Sequence, residues 1–320
     1  MNLKSDNKKI ISMSKRKENQ VLRKLKKSRQ LYLIILLPII YLLIFCYYPM
    51  FGVQIAFKNF VATKGIWGSP WVGFAHFIRF FSSYQSWRVI LNTLAISIYS
   101  LIAGFPVPII LALCLNYTQN KTFRKTVQMV TYAPYFISTV VLVGMIMQVL
   151  SLRSGAINAI IKSLGGQPIN FMGDPDFFRS IYVISGIWQG AGYASIIYLA
   201  ALSSVNPELH ESAVMDGANK FHRLWYIDIP SIMPTTVILL ILNCGSILSV
   251  GFEKILLLQN PLNLRVSEVI STYVYKVGLA STIPMYSYST AIGLFTSLIG
   301  LILLNIVNRI SRNVSDTSLW

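Results

Sequence analysis

The chain has 320 residues, 54% of them hydrophobic and only 12% charged, with a formal net charge of +17. Its mean hydropathy is +0.57 and its charged fraction is about half that of a soluble domain, which excludes a water-soluble enzyme and points to a polytopic membrane protein. The positive charge suggests nucleic acid at first, but eleven of the 28 Lys and Arg crowd into residues 1–30 with no aromatic residue among them, and such an arm ahead of an apolar run meets anionic membrane lipid instead.

The first apolar run, roughly Leu31 to Phe57, follows that arm directly. It is longer than a signal-peptide core and no A-x-A-like site follows it, so it is expected to stay as a span. Five more runs reach the length of about 20 residues that a bilayer crossing takes. They cover roughly residues 89–115, 127–150, 181–202, 232–252 and 288–307. The expected fold is all-α: a basic arm (1–30), six transmembrane helices (31–310) and a short tail (311–320). Pro38, Pro106, Pro108 and Pro134 fall in or near these runs, where neighbouring helices or water can satisfy the freed carbonyls. Cys46, Cys114 and Cys244 all lie in predicted spans, widely separated, and offer neither a disulfide framework nor metal spacing.

Between the first two runs, Trp67 to Gly73 is turn-rich and leads into His76–Phe81, expected as a short helix at the outer interface. Gly165 to Phe171 is a second turn-rich stretch, and Asp174-Pro175 is expected to open another short interfacial helix. If both termini face the cytoplasm, the inner segments carry 18 Lys and Arg and the longer outer ones 10. That distribution obeys the positive-inside tendency and puts residues 206–230 in the cytosol.

Residues 206–230 read NPELHESAVMDGANKFHRLWYIDIP, a polar interruption with a helical signal of its own. Asn206 suits an N-cap, Pro207 the first helical position, and Glu208 places a negative charge where the helix dipole favours it. Val214, Ala218, Phe221 and Trp225 recur at i, i+4, i+7 and i+11, as on one helical face. Gly217 permits a bend or a close contact, and Pro230 and Pro234 are expected to end a second short helix. Such a segment is a docking surface.

These residues also carry a family resemblance. Glu211, Ala213, Asp216, Gly217, Ala218, Phe221, Ile227 and Pro230, at this spacing, resemble the "EAA" loop of permeases in binding-protein-dependent ABC importers, with Ser212 and Ile229 as small departures. Most of the chain from Leu31 resembles the sugar branch, closest to permeases for polysaccharide-derived oligosaccharides. The stretches that prompt this include Tyr48–Gly52, Trp71–Phe74, Pro168–Met172 and Ile187–Gly192. The resemblance implies a type I importer fold in the plasma membrane of a bacterium and a partnership with a second, related permease. It also implies two ATPase subunits that hold ATP and Mg, and an extracytoplasmic solute-binding protein. No cofactor is expected on this chain itself.

Catalytic signatures are absent: there is no phosphate loop, H-E-x-x-H or G-x-S-x-G, and the three histidines are scattered. The remaining polar inventory lies in the spans. Trp188, Gln189 and Tyr193 sit among glycines, which serves either close helix packing or a sugar path. Asn243, Ser246 and Ser249 are expected as a polar strip on the fifth helix, with Glu253 at its outer end, either facing substrate or paired with Lys254 or Arg265. Asn92 lies near a span end, where water could solvate it. The rival class is a gradient-driven secondary transporter of a small polar solute, for which paired intramembrane carboxylates and inverted repeats are missing.

Overall fold

The structure is a computed structural model that describes residues 28–314. Most of the basic arm and the end of the tail therefore lie outside the described residues. Among the described residues the chain is helical, and its one β-bridge joins Lys58 to Trp71. Among the described residues five helices are long and apolar enough to cross a membrane, and a bent pair, counted as one span, makes up to six.

The chain divides after Gln54 into two units. In the first, the helix that begins at Arg29 is apolar on every side, and its backbone widens to a π-turn over Leu42–Tyr47, between Pro38 and Pro49. A helix apolar all round suits lipid or a partner helix rather than water.

The second unit is built on the fourth span, Pro175–Ser203, which packs on the second (Tyr84–Tyr117), the third and the fifth (Lys220–Gly245). The sixth, Tyr286–Val314, packs on the fifth and on the short helix Ala75–Phe81. Three apolar clusters hold these contacts. Phe80, Val89, Tyr288 and Ile292 form one, and Ile96, Phe178, Ile255 and Val269 a second. Leu115, Tyr198, Leu202 and Ile232 centre the third.

Three expectations change. The third span is two limbs, Lys121–Phe136 and Thr139–Val149, bent by 102°. Pro134 tightens the first limb into a 3₁₀ turn, and Ser138 restarts the helix as an N-cap, accepting from the Val141 N–H. Asp174-Pro175 begins the fourth span itself, Asp174 accepting from the Asp176 N–H as its cap. The short helix expected at the outer interface forms as Ala75–Phe81 and packs into the bundle, with Phe80 buried against Tyr288 and Phe295. Asn92 is buried rather than solvated, and its amide donates to the carbonyls of Arg265 and Glu268.

Around Glu268 the structure holds a charge cluster with no counterpart in the sequence reading. The buried carboxylate takes Arg88 at 2.6 Å, Gln85 at 3.1 Å and Lys276 at 3.5 Å. A buried charge survives only when paired and hydrogen-bonded, and here the pairing pins the 264–276 segment to the second span.

Candidate functional site: a cavity between spans and a docking helix

A cavity of about 720 Å³ opens between the second, fourth and fifth spans and the segment that follows the fifth. Gln189, Asn243, Ser246, Ser249 and Glu253 line it, and so does Lys254. Trp188 and Tyr193 do not. Tyr193 stacks on Tyr135 at 3.9 Å between ring centroids, against the first limb of the third span.

The Trp188–Tyr193 stretch shows how packing and path divide among neighbours. A Cβ on Gly192 would collide with the Thr131 carbonyl, so this glycine sets the approach of the third and fourth spans. Gly190 has open space before it and lines the cavity. Gln189 belongs to both: it lines the cavity, and its amide donates at 3.0 Å to the Ile137 carbonyl, freed where the third span breaks. A broken span persists in lipid only when such a carbonyl finds a donor.

The expected polar strip on the fifth helix is not helical throughout. The helix ends at Gly245, Ser246 is its C-cap, and Ser249 lies in the turn before helix Phe252–Leu258. Asn243 donates to the Leu239 carbonyl one turn back. Asn243, Ser246, Ser249 and Glu253 are all exposed, and Glu253 has no ion pair with Lys254 or Arg265 among the described residues.

The polar stretch 206–230 has the geometry of a clasp. Asn206 accepts from the Glu208 N–H and starts helix Pro207–Met215. Gly217 ends it at φ +82°, with its N–H on the Val214 carbonyl and the Ala218 N–H on that of Ala213. This is a Schellman cap, which wants glycine at the left-handed position and accounts for Gly217 at this point of the chain. Asn219 then caps the next helix through the His222 N–H.

That second helix does not stop at Pro230. It runs from Lys220 into the fifth span through a π-turn over Leu224–Asp228, and passes Pro230 and Pro234. The wider turn makes room for the proline ring, which would strike the carbonyl four residues back. Val214 and Phe221 therefore sit on separate helices rather than on one face. Val214, Phe221 and Trp225 are 51%, 69% and 57% exposed, and Glu211 and Asp216 are exposed beside them. Ile227 is half-buried.

Beneath this surface lies Asp228, fully buried, taking a hydrogen bond from Tyr117 and facing His210. Sequence reading passed over it, although a single carboxylate at the mouth of an apolar span is a signal in itself.

Among the described residues, apolar helices long enough to cross a membrane, a cavity walled by the second, fourth and fifth of the spans and an exposed clasp at one end of the fifth are the features of a multi-span permease. Residues 104–316 match the family of binding-protein-dependent transport system inner membrane components, and the chain belongs to that family. A gradient-driven carrier is thereby set aside. Protein LplB of Bacillus subtilis (strain 168) is 41% identical over 296 residues, 92% of each chain. The polygalacturonan/rhamnogalacturonan transport system permease protein YteP of the same strain is 41% identical over 310 residues, 97% of this chain and 96% of that one. A chain in the crystal structure of a bacterial ABC transporter involved in the import of the acidic polysaccharide alginate superposes with a TM-score of 0.85. It is 41% identical and covers 92% of this chain and 99% of its own.

Proposed function

We propose that this permease forms half of the path of an ATP-driven oligosaccharide importer and takes its driving force through residues 206–230. The observation that carries this is the clasp: Phe221 and Trp225 stay exposed on a helix that runs unbroken from Lys220 into the fifth span, and Val214 is exposed on the capped helix just before it. An ATPase that grips it from the cytosol moves the fifth span directly, and the fifth span walls the cavity. Glu211, Ala213, Asp216, Gly217, Ala218, Phe221, Ile227 and Pro230 are the coupling residues of this reading. Both termini are then cytoplasmic, ATP and Mg stay on the ATPase pair, and a second permease closes the path.

The substrate is a sugar chain, and the relatives named for alginate and polygalacturonan favour an acidic one. Gln189, Asn243, Ser246, Ser249 and Glu253 offer it amides, hydroxyls and a carboxylate; Trp188 and Tyr193, off the cavity wall, drop out of this reading. Cross-linking tests the coupling: Ala213→Cys should bridge to a cysteine in the ATPase cleft in a nucleotide-dependent way. Absence of any bridge in an assembled, active complex would sink the reading.

A further inference from the structure

We propose that Lys254 is the cation in this cavity that recognises a carboxylate on the passing sugar, and so selects uronate-containing chains over neutral ones. The proposal rests on the importer reading above and names a specificity residue for it. Lys254 is only 8% exposed, yet it lines the cavity. Its Nζ donates at 3.0 Å to the Tyr182 carbonyl and lies 4.9 Å from the centroid of the Tyr182 ring. Gly186, one turn further along the fourth span, leaves the room: a Cβ there would already meet Nζ at 3.4 Å.

An ammonium carries three donors, and among the described residues one hydrogen bond is made, to a neutral carbonyl. No carboxylate pairs with it. Glu268 is engaged by Arg88 and Lys276, and Asp228 by Tyr117 and His210. Glu253 is its sequence neighbour, and adjacent residues on a helix point to different sides. A buried cation without a counter-charge is costly, while a methionine or leucine would fill the same volume beside Tyr182 at no electrostatic cost. An anionic ligand supplies the missing charge.

The hydroxyl of Ser100, also on the cavity wall, is buried with no partner of its own among the described residues. It offers a sugar hydroxyl or carboxylate a second contact. Glu253 does not cancel the attraction. It is exposed and screened by solvent, whereas the charge of Lys254 acts from a poorly solvated site. A repulsive neighbour also keeps the hold weak enough for the sugar to leave, which a translocation path requires.

The test uses the complete importer in proteoliposomes: this permease, its partner, the ATPase pair and the binding protein, with trigalacturonate as the probe. Sugar delivered per ATP hydrolysed is the readout. Lys254→Met should lower it about tenfold, the loss of a hydrogen bond to a charged group, and Lys254→Arg should retain most of it. ATPase stimulation by the loaded binding protein should hold in both, because Lys254 lies away from the 206–230 clasp.

Wild-type delivery by Lys254→Met, or equal failure of Lys254→Arg and Lys254→Met, would overturn the proposal. A second measurement needs no variant: the wild-type importer should deliver trigalacturonate better than its uncharged methyl ester, and equal delivery of the two also overturns it. A wild-type complex that hydrolyses ATP but delivers neither sugar refutes the substrate reading itself, and this proposal with it.

Discussion

The phenol of Tyr117 donates a 2.5 Å hydrogen bond to Oδ2 of Asp228, and so ties the last residue of the second span to the entry of the fifth. The other carboxylate oxygen has His210 Nε2 of the docking helix at 3.4 Å, an ion-pair distance. Three elements thus meet on one buried carboxylate, and any displacement of the docking helix is felt at two cavity walls. Tyr117→Phe should lower the thermal stability of the purified complex by about 2 kcal/mol, the value of a hydrogen bond to a charged group. It should also reduce sugar-stimulated ATPase activity more than basal activity. A melting curve identical to wild type would mean that the bond contributes nothing in the assembled protein.

Gly217 separates conformation from contact. At φ +82° any side chain is strained, and Gly217→Ala should cost about 1–2 kcal/mol locally yet leave the surface apolar. Open space surrounds the position, so Gly217→Asp adds charge without a clash inside the chain. Gly217→Asp and Glu211→Lys should abolish sugar-stimulated ATPase activity with membrane insertion intact, and Gly217→Ala should fall between them and wild type. Full stimulation in Gly217→Asp would show that the clasp is not the ATPase seat.

Gly192 and Gly190 lie two residues apart on the fourth span and predict opposite phenotypes. Gly192→Leu should prevent assembly, because the Thr131 backbone already fills the space. Gly190→Leu should assemble, having open space before it, and should slow uptake by narrowing the cavity. Complex yield on size exclusion separates the two, and equal yields would contradict the packing.

Orientation has its own check. Externally added thiol reagent should label single cysteines replacing Gly68 and Gln167 in intact cells, and should miss those replacing Asn120 and Asn219. Labelling at Asn219 would place the clasp outside, where no ATPase reaches it.

The sequence displayed what local chemistry dictates. Asn206, Pro207 and Gly217 announce the ends of helix Pro207–Met215 because caps need particular residues at particular offsets. Hydropathy located the six apolar runs because lipid accepts little else. What it concealed depends on contacts distant in the chain. The third span looks continuous from Val127 to Leu150, and its 102° bend needs the Gln189 amide, 52 residues on, to satisfy Ile137. Polarity at Asn243, Ser246 and Ser249 was plain, but a helix end at Gly245 turns a strip into a rim. Asp228 was passed over, and Lys254 was read only as a partner for Glu253, because burial, which makes them unusual, is a property of the fold and not of the residue.

Lys254 gives transport a pH signature with two opposite signs. Burial pulls its ammonium down from 10.5 to about 8. The titratable groups beside it are Glu253 on its own helix and Tyr182 on the fourth span; the ring of Tyr275 meets Phe252 at 5.2 Å. Below about 8 the lysine is charged and attracts a uronate; above, it is neutral. Trigalacturonate delivered per ATP should therefore fall about tenfold between about pH 7 and 9, while the methyl ester shows no such step. Stability runs the other way. Between about 8 and 10.5 the unfolded chain binds the proton that the folded one has released, so stability gains from rising pH in that window. Ordinary alkaline damage would lower delivery and stability together. Lys254→Met should remove both dependences, and a delivery profile that still steps near pH 8 in that variant would assign the titration to another group.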